Sequence, residues 1–94
     1  MAGWNYIFRV HALQRMFERK ISLEEVIEAL ETGETIESYP EDYPYPSRLV
    51  LGWRRKRPLH IVVAENKQEQ SLIIITVYEP DPKFWESDFK RRKK

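Results

Sequence analysis

The chain has 94 residues, a formal net charge of +1, two histidines and no cysteine. That length suits one domain near the small end of what folds unaided, with neither a disulfide framework nor a thiolate metal site to stabilise it. No apolar run approaches a membrane span and no charged-then-apolar leader opens the sequence, so a cytoplasmic protein without membrane attachment is expected.

After an aromatic lead-in (Trp4, Tyr6, Phe8), residues 10–19 are expected to form a helix. At helical pitch Leu13, Met16 and Phe17 make its core side. His11, Arg15 and Arg19, spaced i, i+4, i+8, make a cationic stripe roughly opposite. Ser22 reads as an N-cap with Glu25 completing a capping box, and Leu23, Val26, Ile27 and Leu30 line the second helix. Gly33 is the expected left-handed stop, and Glu24, Glu28 and Glu31 share the outward face.

Beyond Gly33 the period changes to that of strands. Residues 34–39 are a candidate short edge strand, and residues 40–47, with three prolines, a loop. Residues 48–53 place Leu49, Leu51 and Trp53 on one face. Residues 58–65 place Leu59, Ile61 and Val63 on one face and His60, Val62 and Ala64 on the other. Residues 72–78 are apolar on both faces, as in a central strand. Short polar links favour consecutive antiparallel hairpins.

The expected architecture is a single α+β domain over residues 1–94, with its core at about 6–82. Two N-terminal helices pack on a three- to four-stranded antiparallel sheet. The expected core joins Leu13, Met16, Phe17, Val26, Ile27 and Leu30 to Leu49, Leu51, Ile61, Val63, Ile73 and Ile75. Pro80 and Pro82 stop the last strand, after which Phe84, Trp85 and Phe89 are expected to pack a turn or short helix back onto the body.

Nine of the sixteen basic residues fall in two clusters, Arg54, Arg55, Lys56, Arg57 and the run 90–94, leaving the remainder acidic. The first cluster is expected to project from a hairpin tip and the second to be a flexible basic tail, both contacting RNA phosphates without reading bases. The plainer alternative for both is solvated surface.

Cutting RNA without a metal requires a general base, a general acid and cations for the charge developing on phosphoryl oxygens. His11 is a candidate for proton transfer, Arg15 and Arg19 for phosphate binding, and Arg48, His60 and Tyr78 for contributions from the sheet. If the strand pairings are tight, His60 lies across from Leu51 and Thr76 and shares a face with Tyr78. Structural readings compete: a hydrogen-bonded strand histidine, arginines paired with Glu18 or acids of the second helix, Arg48 holding Asp42, and Tyr78 and Trp53 as packed aromatics. Two histidines without a spaced carboxylate cluster give no zinc pattern, and isolated glycines give no phosphate loop, so neither metal nor cofactor is expected.

The order His11-Ala12, Arg15-Met16, Arg19, Ile21-Ser22, Val26, Gly33, Arg48-Leu49-Val50, Gly52, Pro58-Leu59-His60-Ile61-Val62 and Ile75-Thr76-Val77-Tyr78 resembles a family of small bacterial domains of unknown function, over roughly residues 10–82. Genes of that family often neighbour zinc-finger, helix-turn-helix antitoxin genes, so the resemblance implies a toxin role. The element order is also similar to BrnT-type toxins of the RelE-like group of metal-independent ribonucleases, which implies that fold. The resulting expectation is a toxin-like endoribonuclease acting on RNA, free or on the ribosome, and neutralised by an antitoxin protein. The alternative is a non-catalytic protein-interaction domain, or a toxin that binds a protein target.

Overall fold

A computed structural model describes residues 3–94; residues 1–2 of the expected domain lie outside the described residues. Strand β1 (Asn5–Phe8) precedes helices α1 (Val10–Arg19) and α2 (Leu23–Thr32), and strands β2 (Glu34–Tyr39), β3 (Ser47–Arg54), β4 (Arg57–Asn66) and β5 (Ser71–Tyr78) follow. The sheet order is β1-β5-β4-β3-β2. Strands β2 to β5 are antiparallel neighbours, whereas β1 runs parallel to β5 with Asn5 beside Ser71 and Phe8 beside Ile74.

The domain is therefore α+β with two helices, as expected, but its sheet has five strands and is mixed. The aromatic lead-in is a strand because Tyr6 and Phe8 tuck against the core while their backbone covers the free edge of β5. Four residues are too few for alternation to show in the sequence. Among the described residues no helix is long and apolar enough to cross a membrane.

The Ser22 hydroxyl accepts the Glu25 N–H at 3.1 Å and the Glu25 carboxylate accepts the Ser22 N–H at 2.9 Å, closing the anticipated capping box. The left-handed stop is Lys20, at φ 56°, which ends α1 and lets the Ile21 N–H reach the Met16 carbonyl at 2.8 Å. Gly33 is extended, at φ −82°, and serves another purpose. A Cβ there would come within 2.6 Å of the Leu51 carbonyl oxygen, and one on Gly52 within 2.6 Å of the Ala29 Cβ. Gly33, Gly52 and Ala29 thus let the end of α2 lie directly on β3.

Both helices cover one face of the sheet, α1 over β5 and α2 over β3 and β4. The core there joins Ala12, Met16, Ile21, Val26 and Ala29 to Val50, Leu59, Ile61, Val63, Leu72, Ile74 and Val77. This corrects the expected core in three respects, one being that Ile27 and Ile75 are only half-buried and lie outside it. Leu13 and Phe17 are 43% and 87% exposed, because α1 turns Ala12 and Met16 inward. The strands beneath already carry bulky aliphatics, so a small residue lets the helix approach. Leu49, Leu51 and Ile73 are buried but on the opposite face, in register with Val62, His60 and Ala64.

Candidate functional site on the face opposite the helices

Two irregularities in register decide what this second face carries. In β5 the pairing steps from Val62↔Thr76 to Val63↔Ile74, so Ile75 is an extra residue. Without it His60 would not face Tyr78; with it the two are direct cross-strand partners. In β2 the pairing steps from Thr35↔Val50 to Glu37↔Leu49, leaving Ile36 as the extra residue. Glu34, Glu37 and Tyr39 then all lie on the face of Leu49, Leu51 and His60. Each irregularity re-aims a polar side chain, as bulges commonly do.

His60 is fully buried at the centre. Its Nε2–H donates to the Phe89 carbonyl oxygen at 2.8 Å, and the Tyr78 hydroxyl donates to Nδ1 at 3.2 Å. A carbonyl can only accept, so the neutral ring carries its hydrogen on Nε2. The Trp85 ring meets His60 edge-on at 4.4 Å between centroids, and the Arg92 guanidinium lies 4.6 Å over the Trp85 ring. Arg92 also binds both Glu37 oxygens, at 3.2 and 3.3 Å, and Tyr39 donates to the same carboxylate.

Burial is the main influence on His60 and lowers its pKa below the usual histidine value; the Phe89 carbonyl opposes this, Arg92 adds to it, and Glu37 opposes it. The imidazole is accordingly a neutral base at pH 7. Burial raises the Tyr78 pKa, with Arg92 acting the other way. The hydrogen bonds from Arg92 and then Tyr39 hold the Glu37 carboxyl below its ordinary range.

Phe89 and Trp85, which meet His60, come from residues 80–94. That segment turns back on itself, with Glu86 and Arg91 joined by a backbone bond of 2.8 Å and Trp85 bridged to Arg92. Trp85 is its buried anchor, while Phe84 is exposed. Lys90 reaches Glu34 at 2.8 Å, and Phe89 meets Trp53 edge-on at 6.3 Å. The expected flexible tail is therefore a docked strap, because β2 offers it carboxylates and His60 offers it a hydrogen bond.

The remaining sequence candidates lie elsewhere. His11, Arg15 and Arg19 are exposed on α1, across the sheet from His60, so the two histidines do not converge on one reacting atom. Arg15 pairs with Glu18 at 3.6 Å. Arg48 pairs with Glu65 at 3.6 Å, and it is Ser47 that holds Asp42. Arg54 donates to the Lys20 carbonyl at 2.9 Å and lies near Glu25 and Glu79, and Arg57 binds Glu79 at 2.9 Å. Of the hairpin cations, Arg55 and Lys56 are exposed and take part in none of these pairs.

Glu37, Tyr39, Trp85 and Arg92 are site residues that sequence reading did not single out. Only Trp85 carried a signal, as an aromatic in an otherwise charged segment. Among the described residues no group of three or more His, Asp or Glu is gathered to hold a metal ion.

No curated protein and no solved structure matches the chain. The model of the family described as "Domain of unknown function (DUF4258)" matches residues 8–79, from β1 to just past β5, and leaves the strap outside. With that match covering most of its length, the chain belongs to the DUF4258 family.

Proposed function

We propose that this domain is a toxin-like, metal-independent endoribonuclease that is neutralised by a partner protein. The observation that carries the reading is the cluster of His60, Tyr78, Glu37 and Arg92 on one sheet face. It combines a neutral imidazole, a phenol and a guanidinium, the parts that phosphodiester transfer without metal requires. Once Phe89 releases Nε2, the ring hydrogen moves to Nδ1 and is donated to the Tyr78 hydroxyl oxygen, which leaves Nε2 free as the base. Nε2 takes the proton of the 2′-hydroxyl as its oxygen bonds to phosphorus, the P–O5′ bond breaks with the leaving oxygen protonated by water, and Arg92 stabilises charge on the phosphoryl oxygens. The strap closes this arrangement, so the reading requires its 86–91 turn, which carries Phe89, to lift from His60 while Arg92 keeps its pairing with Glu37. Lys90 holds that turn through a partly exposed ion pair with Glu34, which solvent screens. The likeness to BrnT- and RelE-type toxins adds support from the sequence. Arg55 and Lys56 add cationic surface for RNA phosphates.

The test is cleavage of RNA by the full chain in EDTA, with and without ribosomes. The expected product ends in a 2′,3′-cyclic phosphate. His60→Ala should slow the reaction by roughly 10²–10⁴-fold, with His11→Ala as the comparison. A magnesium requirement, or normal cutting by a folded His60→Ala chain, overturns the mechanism.

A second reading, a non-catalytic protein-interaction domain, is favoured by one observation: His60 is sealed while Val10, Leu13 and Phe17 are exposed together. Growth of bacteria expressing the native chain or His60→Ala separates the two. Equal toxicity of both chains without RNA cleavage supports the interaction reading.

A further inference from the structure

The largest apolar side chain on α1 points into solvent. Phe17 is 87% exposed and Val10 70%, and with Leu13 they fall at i, i+3, i+7 on the side of α1 turned from the sheet. A shallow groove lined by Val10, His11, Leu13, Gln14, Arg15, Phe17 and Glu18 follows this stripe. It continues past Phe17 and Glu18 along Lys20, Ile21 and Ser22. Stripes of this spacing are what a helix buries against a partner.

The surrounding charge restricts what that partner is. Residues 9–20 carry four cations, Arg9, Arg15, Arg19 and Lys20, against one carboxylate, Glu18. That carboxylate is already paired with Arg15 at 3.6 Å. A second copy of this chain docking α1 on α1 would bring four cations against four. A second copy offering α2 would supply acids but only Leu23 as an exposed large apolar residue. RNA would satisfy the cations and leave Phe17, Leu13 and Val10 in water. An acidic amphipathic helix satisfies both parts of the surface, its apolar side chains in the groove and its carboxylates over Arg15 and Lys20, the cations that line it.

We infer that the outer face of α1 is a docking surface for an acidic amphipathic helix of a protein partner, with Phe17 as its main anchor. This rests on the protein-partner element of the proposed function and not on RNA cleavage. The surface lies across the sheet from His60, so a partner bound there leaves the strap undisturbed. The carboxylates on the partner set its direction along α1, since the cations gather toward the Lys20 end.

The experiment is selection from a displayed library of 16-residue helical peptides against the intact chain, followed by affinity measurements on the enriched peptides. The expected winners combine apolar residues at i, i+3 or i+4, i+7 with an excess of Asp and Glu. Phe17→Ala, at an exposed position, should leave the circular-dichroism spectrum unchanged and weaken them at least about tenfold, as loss of an aromatic anchor does. His60→Ala should bind them as the native chain does, so a failure of the cleavage proposal would not disturb this result. No enrichment, winners without acidic bias, or affinity insensitive to Phe17→Ala overturns the inference. So does a native dimer that Phe17→Ala dissociates, which gives the face to a second copy, and so does single-stranded RNA binding that the same substitution abolishes.

Discussion

The carbonyl oxygen of Phe89 accepts the Nε2 hydrogen of His60 at 2.8 Å, and the Phe89 backbone stands at φ 59° to deliver it. A non-glycine residue in that left-handed region costs on the order of 1–2 kcal/mol, so the contact with His60 is made against backbone strain. The strap meets the sheet at a residue that both titrates and resists titration.

The first prediction concerns acid. Burial lowers the folded-state pKa of His60 below the ordinary value of 6.5, so the unfolded chain binds this proton first. The stability contributed by neutral His60 is complete above about pH 6.5 and is lost as pH falls from there to the folded-state value. Denaturant midpoints measured from pH 7.5 down to pH 5 should decline, and His60→Gln should remove most of the slope in that window. A native profile as flat as the variant's would show that His60 is not held neutral.

Trp85 is the second point of test. It is 4% exposed and covers the imidazole, so Trp85→Ala should cost about 3–5 kcal/mol, as truncation of a buried aromatic does. Because burial is the largest influence on His60, the same substitution should raise its pKa toward 6.5, readable from the ring-proton titration by NMR. An unshifted titration in a folded Trp85→Ala chain would mean that another group excludes water there.

Gly52 gives a third. A Cβ at this position would lie 2.6 Å from both the Cβ and the carbonyl oxygen of Ala29, and a helix backbone cannot yield as a flexible side chain would. Gly52→Ala should destabilise the fold by about 1–3 kcal/mol by pushing α2 off β3. Urea unfolding gives the value directly; a change near zero would show that α2 shifts without cost.

The hairpin between β3 and β4 offers the fourth. Arg54 and Arg57 are engaged with Glu25 and Glu79, so neutralising them should mainly lower stability. Replacing Arg55 and Lys56 by Ala should leave stability intact and weaken RNA binding similarly for different sequences. Removing one cation from a phosphate should flatten the logarithmic salt dependence by about 0.7 for single strands. Identical salt slopes for the native chain and this variant would assign the pair to solvated surface.

The helices, the capping box and the long strands were legible because each carries its own period or its own local hydrogen bonds. The side chains facing the core of α1 were not. Ala12 contributes little hydrophobic signal and Phe17 contributes much, yet Ala12 is buried and Phe17 is out. Close approach to a sheet rewards small residues, and amphipathic pattern reading rewards large ones. The candidate site shows the same division. His60 and Tyr78 could be placed on one face from their strands alone. Their direct pairing depends on Ile75 being an extra residue, and Glu37 joins them only because Ile36 is another. A bulge leaves no mark in composition. Arg92 was hidden for a different reason: a basic terminal run reads as tail unless the carboxylates that hold it, Glu34 and Glu37, are known to face it.

The parallel pairing of β1 with β5 sets a schedule for the nascent chain. Asn5 finds its neighbour only when Ser71 exists, and Ala12 and Met16 find much of their cover on the same strand. The β3–β4 hairpin can close by itself as soon as residues 47–66 have been synthesised. The opening segment must wait for nearly all the rest, with its apolar side chains unsheltered meanwhile. Pairings so distant in sequence are slow to form, and their delay leaves apolar surface open to aggregation. In this chain β1 is synthesised well before β5, so its pairing waits for the arrival of that strand.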